Sequence, residues 1–219
     1  MSYSCIEIQI IKISGWPGFA EGAENFGGTP ADQWFLITRR VTRYRMRPYV
    51  VINAAMSADG KLSTRERRQV KISGTQDFTR VDRLKAGCDA VMVGIGTVLA
   101  DDPSLTVKSE DCRRMRKERG TDEHPVRIVV DSRARTPSSA SILHKGPGKR
   151  VIAVSRKADE KRVAELRKHA TVIVLGEENV DLKAFLDELG AMGIQRLMVE
   201  GGGTLIAGLI AAGLVDEIY

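Results

Sequence analysis

From Met46 to the end of the chain, short apolar runs alternate with amphipathic stretches. Tyr49 to Ala55 is almost entirely apolar with β-branched residues at its centre, which predicts a strand buried on both faces. Thr75 to Gly87 predicts a helix, with Thr75 as N-cap and Gly87 as stop. Ala90 to Val93, Val126 to Val130, Arg150 to Val154, Thr171 to Leu175 and Gln195 to Glu200 predict further strands. A charged helix is expected from about Ala158 to His169. A second opens at Asp181, where Leu182, Phe185, Leu186, Leu189 and Met192 follow a 3.6-residue period on one face. Thr204 to Ala212 reads as a helix apolar nearly all round, and Asp216 to Tyr219 as the first half of another strand. This alternation predicts an α/β fold with a mostly parallel central sheet and helices on both faces.

The first 45 residues break the pattern. They hold both tryptophans and most of the aromatic residues, and the Gly-rich stretch between Gly15 and Pro30 has neither a helical nor a strand period. Met46-Arg47-Pro48 reads like a natural beginning. Residues 1–45 are therefore expected to be an appended leader that adds little to the fold, against the alternative of an arm that buries its aromatics. Residues 46–219 are expected to form one domain.

Composition narrows the class. Of 219 residues, 42% are hydrophobic and 28% charged, which is a globular balance. No run is long enough for a membrane span. Cys5, Cys88 and Cys112 are isolated, which excludes a disulfide framework or zinc cassette and suits a reducing cytoplasm. The net charge of +6 favours anionic partners, phosphorylated metabolites as much as nucleic acid. Its densest cluster, Arg113 to Arg119, contains no aromatic residue and reads as a solvated loop.

Ligands in such sheets bind at the carboxyl ends of strands, and four of those ends carry polar or glycine residues. They are Asn53 with Ser57-Ala58-Asp59-Gly60, Gly94-Ile95-Gly96-Thr97, Asp131-Ser132, and Glu200-Gly201-Gly202-Gly203-Thr204. Glycines that open a helix let backbone N–H groups approach a phosphate, although each such run is also an ordinary tight turn. Lys85 falls within the apolar stripe of Phe78, Val81, Leu84 and Cys88. Buried there, its ammonium needs an anion, whereas at the rim it would snorkel to water. Lys108 is a second candidate cation. Asp59, Asp101, Asp102, Asp131 and Glu200 are candidate anchors or acid–base groups, with 59–60 and 102–103 equally readable as turns. His124, His144 and His169 read as structural.

The segments Asn53 to Lys61, Asp89 to Val107, Val130 to Ser132 and Glu200 to Thr204, in this order, resemble the riboflavin-biosynthesis reductase family. The resemblance runs from Met46 to Tyr219. It implies a dihydrofolate-reductase-like fold and NADPH as cofactor, with NADH as the alternative. It also implies reduction of a ribosylamino group on a pyrimidinone 5′-phosphate to ribitylamino. By resemblance, Ala55, Thr97, Asp101, Asp131, Ser132, Gly201, Gly202, Gly203 and Thr204 contact the cofactor. Asn53, Lys85, Leu105, Lys108 and Glu200 face the substrate, with Glu200, Asn53 and Asp59 as the catalytic candidates and no metal. Lys85 and Lys108 stand where some members have arginine, which keeps the charge and loses the bidentate fork. The H-x-E and P-C-x-x-C motifs of a zinc deaminase are missing, which points to a stand-alone reductase acting on the still-aminated 2,5-diamino compound. Family members continue past the Asp216–Tyr219 point, so further C-terminal strands are expected to be missing here, with a homodimer expected once that segment is restored. A dihydrofolate reductase proper, and a basic nucleic-acid-binding module, are the rival readings.

Overall fold

In the computed structural model, residues 9–12, 34–37, 47–57, 60–62 and 74–219 are described. The chain divides into two compact units, Met1–Arg45 and Met46–Tyr219. In the first, β1 (Gln9–Lys12) pairs antiparallel with β2 (Trp34–Ile37). Neither strand is among the elements that the hydrophobic pattern predicts.

The second unit holds seven parallel strands in the order β7-β6-β5-β4-β8-β3-β9. They are β3 (Tyr49–Ile52), β4 (Ala90–Gly94), β5 (Val126–Val130), β6 (Arg150–Val154), β7 (Thr171–Val174), β8 (Arg196–Gly201) and β9 (Glu217–Ile218). Every described pairing among them is parallel. Alternate strand residues feed two cores. Val50, Ile52, Met92, Ile128, Val151 and Val199 pack with Phe185, Leu186 and Leu189 of α6 (Leu182–Ala191) and with Leu205 and Leu209 of α7 (Gly203–Ala211). On the other face Val91, Val93, Val129, Ile152 and Met198 meet α1 (Thr75–Ala86), α2 (Ile95–Asp101), α4 (Ser141–His144) and α5 (Glu160–Leu166). The continuous apolar runs are therefore double-faced strands, as parallel sheets require. The first strand stops at Ile52, short of Ala55, and α5 is shorter than its charged pattern. The short α4 left no periodic signal.

The basic cluster is a correction. Residues expected to be a solvated loop form most of α3 (Glu110–Glu118), capped by the Ser109 side chain accepting from the Cys112 N–H. Arg116 is buried and donates to the carbonyls of Ala86, Cys88 and Asp122. Arg113 donates to the carbonyls of Val107 and Lys108, Arg114 pairs with Asp111, and Lys117 with Glu123. Arg116 and Arg113 thus serve the fold, while Arg114, Lys117 and Arg119 stay exposed, as a solvated segment requires.

Two further polar groups lie inside. Arg127 is wholly buried and donates to the carbonyls of the 145–148 loop; burial lowers its pKa to about 10. His124 is buried against Gly146, its Nδ1 has no hydrogen-bond partner among the described residues, and burial lowers its pKa from 6.5. Arg127, Arg113 and Lys108 also disfavour its charged form, while Glu123, 3.7 Å away, favours it. The unfolded chain therefore binds a proton at His124 before the folded one does, so stability is lost as pH falls below the ordinary histidine value. Between about pH 7 and pH 5.5, the non-titrating His124→Gln variant is expected to lose less melting temperature than the parent. Equal losses would mean another group carries the pH dependence.

Candidate functional site

The four motif-bearing strand ends belong to β5, β4, β8 and β3, which are neighbours in the sheet. Their carboxyl ends open into a cleft of about 1170 Å³. Ala55, Thr97, Asp101, Ser132, Glu200 and Gly201 to Thr204 all line it. Gly94 and Gly202 form its floor by packing on each other. A Cβ on Gly202 would stand 3.1 Å from both the Cα and N of Gly94, and φ at Gly202 is +93°, so side chains are excluded there on two grounds. A Cβ on Gly201 would lie 3.0 Å from Thr97 Oγ1. These glycines join two loops. Gly96 and Gly203 differ: nothing stands within 4 Å of a Cβ at Gly96, and only Leu62 Cδ1, at 3.8 Å, near one at Gly203. Neither α2 nor α7 has a side-chain cap, so the first-turn N–H groups of α7 face the cleft with a favourable dipole for an anion.

Glu200 owes its position to a register shift. Met92 pairs with Val199 and Val93 with Gly201, so Glu200 is the extra residue on β8. Its Oε1 lies 3.0 Å from Lys85 Nζ, with side-chain exposures of 15% and 12%. Lys85 therefore finds its anion within the protein, in a carboxylate of the cleft wall. Further side chains of α1 reach the end of β3 and the loop before α3. Arg80 donates to Asn53 Oδ1 at 2.9 Å, and Asp82 accepts from the backbone N–H groups of Lys108 and Ser109. Lys108 Nζ rests on Ser104 Oγ and Thr106 Oγ1, each at 2.8 Å. Its pKa is lowered, chiefly by burial and then by the nearby Lys85 charge. Burial raises the Asp101 carboxyl, while Asp102, in the left-handed region, is held down by the N–H and hydroxyl of Ser141.

Not every expected residue reaches the cleft. Asp131 is fully buried and its Oδ2 accepts from the Thr136 N–H and hydroxyl, so its carboxylate organises the loop instead of facing a cofactor. Leu105 is buried in the core, with φ of +53°. Asn53, Lys85 and Lys108 sit beside the cleft, outside its lining. Ser132 lines it but also accepts from the Val180 N–H. Asp59 lies outside the described residues. Arg133 and Arg135, which also line the cleft, were missed; two arginines directly after a strand end are the signal that would have found them. Among the described residues, no group of three or more potential metal ligands occurs.

The profile of the RibD C-terminal domain matches residues 48–219. The chain belongs to that family. It is 55% identical over 173 residues to the 2,5-diamino-6-ribosylamino-4(3H)-pyrimidinone 5′-phosphate reductase of Archaeoglobus fulgidus, covering 79% of this chain and 78% of that one. It is 50% identical over 173 residues to the reductase of the same name from Methanothermobacter thermautotrophicus, covering 79% and 76%. Among solved structures, Acinetobacter baumannii RibD superposes with a TM-score of 0.64 at 26% identity, covering 80% of this chain and 45% of that one. The fold is the dihydrofolate-reductase-like one of RibD reductase domains.

Because Lys85 and Glu200 are mutually neutralised in a largely buried setting, removing one partner leaves the other uncompensated. Glu200→Gln is expected to destabilise the domain by about 1–3 kcal/mol in urea unfolding, and adding Lys85→Met is expected to restore part of that loss. Strictly additive losses would show the pair uncoupled.

Proposed function

We propose that the protein is the NADPH-dependent reductase of riboflavin biosynthesis. It would convert the ribosylamino group of 2,5-diamino-6-ribosylamino-4(3H)-pyrimidinone 5′-phosphate to ribitylamino, as the names of its archaeal relatives suggest. The observation that carries this reading is the cleft itself: an open helix N-terminus and unobstructed glycines on one side, and a charged pair on the other. When bound, the nicotinamide supplies a hydride. Gly201 to Thr204, Thr97 and Asp101 would hold the dinucleotide, with backbone N–H groups of α7 on its phosphates. Ala55 would lie near the ring.

On this reading the chain's work is orientation and electrostatics. Glu200 faces the cleft as a carboxylate already matched to a cation, so it favours positive charge developing on an opened ribosylamine. Lys85 has donors to spare after serving Glu200. With Lys108 and the Ser104 and Thr106 hydroxyls, it would receive the substrate phosphate. Arg80, which only donates, turns the oxygen of Asn53 towards itself and leaves the amide NH₂ to donate elsewhere. Arg133 and Arg135 would favour NADPH over NADH through the 2′-phosphate; Arg135 Nε lies 3.8 Å from buried Asp131 Oδ1, which aims it. Cytoplasmic residence is part of this reading, supported by Cys88 and Cys112, which are buried and unpaired.

Lys85→Met is expected to raise the KM for the phosphorylated substrate about ten- to a hundredfold and leave NADPH affinity unchanged. Gly203→Val, which meets no backbone obstacle in the fold, is expected to do the reverse. Steady-state kinetics with each ligand varied in turn separates them, and the opposite pattern would invert the division of the cleft. Arg135→Ala is expected to weaken NADPH roughly five- to thirtyfold and NADH hardly at all, by fluorescence titration. Equal weakening of both would remove Arg135 from cofactor choice.

A further inference from the structure

The peptide of Lys108 is held from both sides. Its N–H donates to Asp82 Oδ1 at 2.8 Å, and its carbonyl accepts from Arg113 Nη1 at 2.6 Å. The next N–H, of Ser109, donates to Asp82 Oδ2 at 2.7 Å, so both oxygens of one carboxylate are committed to two consecutive backbone groups. Asp82 lies one helical turn before Lys85 on α1, on the same side of the helix. A single rigid element thus carries one cation and grips the loop that carries the other.

Capping α3 does not require this grip. Ser109 already caps α3 with its own hydroxyl, accepting from the Cys112 N–H. The loop before it also needs external restraint. Asp102 and Leu105 both sit at positive φ, +41° and +53°, a conformation that non-glycine residues keep only where surrounding contacts impose it. Like charges add to the need. The nearby Lys85 ammonium disfavours the charge of Lys108, which the Asp82 carboxylate favours, while Lys108 Nζ itself rests on the Ser104 and Thr106 hydroxyls. Without the Asp82 grip, the two hydroxyl contacts alone would hold the Lys108 ammonium beside Lys85.

We propose that Asp82 is a positioning residue for substrate: it fixes the Lys108 backbone so that the Lys108 ammonium stands beside that of Lys85, presenting two cations at a set spacing to the phosphate of the ligand. The proposal rests on the reading above that Lys108 faces the substrate phosphate. The hydrogen bonds of Asp82 go to Lys108 and Ser109 and not to the cofactor-side glycines, so its loss is expected to act on substrate affinity.

The test is a kinetic cycle with Asp82→Asn, Lys108→Met and the double variant, with NADPH affinity measured alongside. Asparagine keeps one accepting oxygen and presents an NH₂ to the second backbone N–H, so one of the two grips is lost with little change of shape. Asp82→Asn is expected to raise the substrate KM about five- to tenfold, leaving kcat and the NADPH Kd within about twofold. In the Lys108→Met background the same change is expected to add nothing, because Asp82 acts through the ammonium already removed. A melting-temperature loss with unchanged KM, or equal KM increments in both backgrounds, would make Asp82 a purely structural tie and overturn the proposal. If Lys108→Met itself leaves KM unchanged, the assignment of Lys108 to the substrate has failed instead.

Discussion

The loops that leave β4 and β8 touch backbone to backbone where Gly202 packs on Gly94, and the missing side chain of Gly202 makes that contact possible. A side chain on Gly202 would claim the space of the Gly94 backbone, and the positive φ at Gly202 turns β8 directly into α7. The rest of the cleft follows from this approach. It brings the open start of α7 next to α2, leaves Gly96 and Gly203 unobstructed, and lets β8 carry an extra residue at Glu200 without losing its pairing to β4.

Charge is arranged around that edge with unusual concentration on one helix. Through Arg80, Asp82 and Lys85, α1 reaches the end of β3, the loop before α3 and the end of β8 in turn. Of these contacts, the Lys85–Glu200 pair is the largely buried one, where an unmatched charge would be costly in low-dielectric surroundings. One amphipathic helix thereby sets the relative positions of three loops far apart in sequence.

The basic run near residue 115 illustrates how composition alone misleads. Seen as text, Arg113 to Arg119 is a charged surface segment. In the structure part of its charge is met by backbone carbonyls, three of which converge on Arg116, and its helix is tied to α1 through Ser109 and Asp82. Carbonyl acceptors leave no trace in a residue pattern, so their demand for a buried guanidinium could not be read in advance. Arg127 and the 145–148 loop repeat the lesson.

The sequence by itself determined the parallel α/β class, the boundaries of most strands, and the residues at four strand ends. Continuous β-branched runs, helical periods and glycine stops are local signals, and the buried sheet obeys them because both its faces must be apolar. It also singled out Lys85 as a cation in need of an anion, since an apolar stripe does not tolerate a lone ammonium. Only the tertiary structure decided that the four ends lie on neighbouring strands, that the anion is Glu200, and that Asp131 turns inward to Thr136 while Arg133 and Arg135 face the cleft. Strand order and the partner of a buried charge depend on contacts between residues more than a hundred positions apart, and a one-residue shift in β8 is enough to redirect Glu200; no local pattern records either.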